Sequence, residues 1–109
     1  MALTIGSIVV HAQDATRAAE FWAGALGYAP HQRNPDFLLP PDGLGPEIHV
    51  DAGDRNHLDL WAASASSLDE EVERHLALGA QRVEWDYPDD ADFVVLSDTE
   101  RNLFCVVAG

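Results

Sequence analysis

The chain has no lysine, one cysteine and no long apolar run. Without lysine, no side-chain amine can form a Schiff base with a carbonyl substrate. A lone Cys105 excludes an intrachain disulfide and a cysteine-built zinc site. The longest unbroken apolar stretch, Leu103 to Ala108, is far short of the roughly 18 residues that a membrane helix needs. Positive charge is scarce as well: six arginines stand against 19 acids, for a formal net charge of −13. Such a surface repels phosphate backbones and anionic lipid, so neither nucleic acid nor a membrane is expected as a partner. Nucleotide-binding and serine-hydrolase signatures are also missing: there is no G-x-x-x-x-G-K-S, no dinucleotide fingerprint and no G-x-S-x-G. The N-terminus has no basic flank and reaches Gly6 and Ser7 early, unlike a signal peptide, so the expected location is the cytoplasm.

What is present is a chain of 109 residues, 47% of them apolar, the length of one domain with a real core. Leu3 to Val10 is rich in β-branched residues and reads as a strand. Asp14 is placed to cap a helix whose apolar Ala18, Phe21, Trp22, Ala25 and Leu26 recur with helical spacing, and Gly27 ends it. Strands are expected near Tyr28–Arg33, Phe37–Leu39 and Glu47–Asp51, with Pro40-Pro41-Asp42-Gly43 as a turn. The pattern then recurs. His57–Ala62 reads as a strand. Ser66 or Ser67 starts a helix, with Glu70 or Glu71 as a capping-box acid and Leu68, Val72, His75, Leu76 and Leu78 inward. Gly79 ends that helix, and Arg82–Asp86, Phe93–Leu96 and Leu103–Val107 follow as strands.

Gly27 and Gly79 each follow an Ala-Leu pair. This repeat predicts an α+β fold of two βαβββ modules in tandem within a single domain of residues 1–109, about 1–54 and 55–109.

Three stretches carry a family likeness. Phe21–Tyr28, F-W-A-G-A-L-G-Y, resembles the first-helix signature of the vicinal oxygen chelate superfamily, which includes glyoxalases, bleomycin-resistance proteins and dioxygenases. Asp98–Val107, D-T-E-R-N-L-F-C-V-V, is similar to that superfamily's closing hairpin, and Asn56–Leu60, N-H-L-D-L, to its glyoxalase-like members. The resemblance implies modules whose sheets curl around a cleft, and a homodimer. In the superfamily's enzymes a divalent metal is held by His, Glu or Gln from the first and fourth strands of each module. Here those positions fall on Ser7, on one of Glu47, His49 and Asp51 (which share a strand face), on His57 and on Cys105. Serine is a poor ligand and a buried cysteine is usually a small hydrophobe, so no resident metal is expected; the alternative is a divalent ion held by His49, His57 and a carboxylate.

His57, Asp59 and Trp61 alternate along one strand and so share a face. An imidazole beside a carboxylate is a general acid–base pair, and Trp61 adds a stacking wall. His57 and Asp59 are therefore the catalytic candidates, with Ser7, His11, Glu47, His49, Trp61 and Cys105 as candidate ligand-binding residues. His31 and His75 are given no role, Trp22 is assigned to the core, and the acids Asp89, Asp90 and Asp92 read as a solvated turn. Two functions compete: a metal-independent lyase or isomerase acting on a small organic ligand, and a bleomycin-resistance-type protein that sequesters a drug or metabolite. A titratable pair favours the first, an open aromatic groove the second.

Overall fold

The computed structural model describes residues 3–63 and 67–108. Its elements run β1 (Thr4–His11), α1 (Ala15–Leu26), β2 (Ala29–Pro30), β3 (Phe37–Leu39), β4 (Glu47–Asp51), β5 (His57–Trp61), α2 (Leu68–Ala77), β6 (Gln81–Arg82), β7 (Phe93–Ser97) and β8 (Leu103–Val107). The order is strand, helix and three strands, twice over, as the repeat predicts. The chain divides into two compact units, Gly6–Asn56 and His57–Gly109, the second including Met1–Ile5.

In the first unit the strand order is β2-β3-β4-β1, with β1 parallel to β4 and the other pairs antiparallel. Register places Ile8 beside Ile48 and Val10 beside Val50. These residues, with buried Leu38, pack under α1. Ser7 beside Glu47 and Val9 beside His49 consequently face the other side of the sheet. Asp14 caps α1 by accepting the Arg17 N–H at 3.1 Å, and Gly27 closes it at φ 70°, the left-handed conformation in which a side chain is strained.

The face that α1 buries differs from the expected one. Ala15, Ala18, Ala19, Trp22 and Ala23 pack on the sheet, whereas Phe21 is 63% exposed and Leu26 also faces water. The helix is apolar on most sides, so periodicity did not single out one stripe, and the alanines let the backbone approach the sheet closely. Phe21 instead meets Trp22 edge to face, with ring centroids 5.1 Å apart.

The second unit has the order β5-β8-β7-β6, with β5 parallel to β8. Val72 of α2 packs with Leu96 and Val106, joined by Leu3, Leu68, Leu76, Val94 and Phe104. Leu78 lies outside this core and is exposed. Ser67 has helical backbone angles and makes no side-chain capping bond, and Ser66 lies outside the described residues. Glu71 is buried and accepts from Arg74 Nε at 3.0 Å.

Two strands are shorter than the sequence suggests. β2 ends at Pro30, although the His31 main-chain N–H still donates to the Phe37 carbonyl at 2.8 Å. β6 stops at Arg82 because the Val95 N–H goes to the Tyr87 hydroxyl at 2.8 Å rather than to a further strand residue. The D-T-E-R-N turn is built around Asp98. One carboxylate oxygen accepts the Glu100 and Asn102 main-chain N–H groups, both at 2.8 Å, and the other accepts the Asn102 side chain at 3.0 Å. The Asn102 side chain foremost, then the two main-chain donors, hold the Asp98 carboxyl below its ordinary range.

Candidate functional site

The second unit carries the densest group of reactive side chains. Leu58 registers with Phe104 and Leu60 with Val106, so these lie on the α2 side of the sheet. Asp59 registers with Cys105, which registers with Val95. Strand alternation therefore puts His57, Asp59, Cys105 and Val95 together on the face turned away from α2. His57 Nε2 lies 3.2 Å from Asp59 Oδ1, with the two side chains 10% and 25% exposed. One donor atom from each of His57, Asp59 and Cys105 lies within 4.8 Å of the others. Leu58 is 38% exposed. α2 packs over β8, one strand further in.

The same face has an aromatic border. Trp61 registers with Val107, and Val107 with Phe93. Tyr87 leans on Phe93 with ring centroids 5.5 Å apart. Trp61 and Tyr87 both present much of their surface to solvent. Phe93 and Tyr87 escaped the sequence reading because their strand and the loop before it had no register to place them. Only the two-residue spacing of Phe93 from Val95 hinted that they share a face.

In the first unit, Ser7 and Glu47 are neighbours on the face opposite α1. Ser7 is 5% exposed, and its Oγ has no hydrogen-bond partner among the described residues. His49 stacks flat on Phe37, centroids 3.9 Å apart and rings 8° from parallel, with Nε2 3.6 Å from Asp51 Oδ2. Phe37 is the residue there that sequence reasoning missed. Its signal was the register that pairs it with His49.

His11 registers with Asp51 at the end of that face. Its Nδ1 donates to the Asp54 carbonyl at 2.6 Å, and its main-chain N–H donates to Asn56 Oδ1 at 2.6 Å. The ring thereby anchors the loop after β4. His75, left without a role, donates from Nδ1 to the Glu71 carbonyl inside α2.

The metal-ligand positions implied by the superfamily do not fit a metal bound through imidazole and oxygen. Ser7 offers only a buried hydroxyl, and a thiol replaces the final carboxylate. Among the described residues, the grouping that does have ligand chemistry is His57, Asp59 and Cys105, all from one unit. Asp59 was not among the positions that the likeness supplied.

Solved structures place the fold among known ones. A chain described as an NAD-dependent benzaldehyde dehydrogenase from Legionella pneumophila superposes with a TM-score of 0.68 at 14% identity, covering 93% of this chain and 96% of that one. A glyoxalase/bleomycin resistance protein/dioxygenase family enzyme from Burkholderia phytofirmans PsJN gives 0.42 at 17% identity, covering 94% and 96%. The fosfomycin resistance protein FosX from Listeria monocytogenes gives 0.42 at 22% identity, covering 99% and 90%. At these identities the likeness concerns the fold alone. No curated protein matches the chain by sequence. The glyoxalase-like domain family matches residues 7–107. The chain therefore belongs to the glyoxalase-like domain family. No helix among the described residues is long and apolar enough to cross a membrane.

Proposed function

We propose that this protein binds a small organic ligand on the polar, aromatic-bordered face of its second unit and moves a proton on it, as a metal-independent lyase or isomerase. The observation that carries this reading is the His57–Asp59 pair, 3.2 Å apart and largely shielded from water. A carboxylate only accepts, so the contact favours the tautomer with its proton on Nε2. Asp59 thus orients the ring, and His57 is the group that takes a proton from a ligand carbon or returns one. Trp61, Phe93 and Tyr87 offer rings against which a flat ligand can stack.

The test is hydrogen exchange into the ligand. Small carbonyl and aromatic compounds that raise the melting temperature are incubated with the protein in deuterium oxide and followed by NMR. The wild type is expected to catalyse exchange at one ligand carbon, and His57→Ala to bind the same compound without exchange. Binding with no His57-dependent exchange in the wild type would remove the catalytic reading. It would leave sequestration, which the half-exposed Trp61 and Tyr87 specifically favour. The first unit's Ser7, Glu47 and His49 form a separate polar face with one aromatic neighbour, and we assign it ligand contacts rather than chemistry. Exposed Phe21, Leu26 and Leu44 support assembly as a C2 homodimer. The lone cysteine and acidic surface suit the cytoplasm.

A further inference from the structure

We infer that His57, Asp59 and Cys105 form a capture site for a thiophilic divalent cation, zinc foremost, built wholly within the second unit. The backbone brings three different donor types to one spot. Asp59 and Cys105 are register partners on adjacent parallel strands, and His57 is two residues before Asp59 on the same face. β8 is itself held on both sides, by β5 and β7, so the thiol is displayed from a rigid element.

The distances suit a small ion. Zinc bonds of about 2.0–2.3 Å to nitrogen, oxygen and sulfur, at tetrahedral angles, separate neighbouring ligand atoms by about 3.3–3.8 Å. His57 and Asp59 already stand 3.2 Å apart, and the whole group lies within 4.8 Å. The widest separation in the group exceeds that spacing by about 1 Å at most. Three protein ligands leave the fourth position of a tetrahedral ion for water or a ligand atom.

The donor set also selects the ion. A thiolate and an imidazole rank zinc far above magnesium, calcium or manganese, which prefer oxygen. The strand-by-strand positions of the superfamily lead toward a metal shared by both modules and bound through harder atoms. The geometry here points to an ion held by one module, with Asp59 as the ligand that those positions omit. The net charge of −13 attracts cations in general and adds to the encounter rate.

Occupancy would have a consequence for the proposed reaction, and this clause alone rests on that reading. A zinc ion on His57 and Asp59 removes both members of the proton-transfer pair, so zinc would act as an inhibitor of ligand exchange.

The test reads the metal directly. Cys105 is the sole cysteine, so alkylation of the native protein by iodoacetamide reports one thiol. Micromolar zinc is expected to slow that alkylation at least about tenfold, and millimolar magnesium to leave it unchanged. Cobalt in place of zinc is expected to give a sulfur-to-metal charge-transfer band, absent in Cys105→Ser. His57→Ala and Asp59→Asn are each expected to weaken protection by about 10–100-fold, with circular dichroism confirming that they fold. Unchanged alkylation in zinc would overturn the site. Equal protection in the wild type and both variants would also overturn it, by showing a thiol acting alone. No organic ligand enters this measurement, so its failure and that of the proton-transfer reading are separately visible.

Discussion

Replacing Ser7 with alanine should make the protein more stable. Ser7 Oγ is enclosed at the face opposite α1, in a residue only 5% exposed, and among the described residues no group donates to it or accepts from it. A hydroxyl withdrawn from water without a partner costs about 1–3 kcal/mol. Alanine removes that cost, together with a small amount of packing from the lost oxygen, so a net gain of about 1 kcal/mol is expected. Unfolding entropy of about 2.1 cal/mol/K per residue gives a chain of this length about 0.23 kcal/mol/K, so the melting temperature should rise by about 4 °C. Thermal unfolding followed by circular dichroism measures this, and the urea midpoint should move up with an unchanged slope. A loss of 1 kcal/mol or more on Ser7→Ala would refute the reasoning, because it would mean that the hydroxyl is satisfied in the folded protein. If Ser7 serves a ligand, the more stable variant should also bind that ligand more weakly, the usual exchange of stability against function.

Leu96 is fully buried between α2 and its sheet, and Leu96→Ala should cost about 2–5 kcal/mol, seen as a large drop in the urea midpoint. Asp98→Ala should destabilise the β7–β8 turn in a pH-dependent way. Because folding lowers the Asp98 pKa, its contribution is present above the ordinary aspartate range and disappears as pH falls through the folded-state value. Melting curves of wild type and variant should therefore differ at neutral pH and converge in acid, and a gap that widens in acid would contradict this. Light scattering at micromolar concentration should return the mass of two chains, and a single-chain mass would count against the dimer.

Much of the architecture was legible because local signals agreed with one another. Asp14 and Gly27 bracket α1 as expected, and the bounds of β3, β4 and β8 match the strand readings residue for residue. The alternation H-L-D-L-W was enough to put His57 and Asp59 on one face, since a period of two leaves no other choice. What failed needed tertiary information. The stripe that α1 buries is decided by how closely the alanines let it approach the sheet. The end of β6 is decided by Tyr87, a residue that lies five positions beyond Arg82 and supplies a hydroxyl where a backbone carbonyl would otherwise be. The grouping of Asp59 with Cys105 depends on a parallel register between strands more than 40 residues apart, and no local pattern encodes that.

The Tyr87 hydroxyl has a meaning for how this protein coexists with its own copies. A strand edge left with open N–H groups is a template on which another chain can add a strand, the first step toward aggregation. Past Arg82, β7 would be such an edge. Tyr87 occupies its Val95 donor, and the segment leading back to β7 carries Glu84, Asp86, Asp89, Asp90 and Asp92. A neighbouring molecule approaching that rim therefore meets an occupied donor and a band of like charge. The stretch of sequence that looks least structured guards the margin of the sheet against uncontrolled growth.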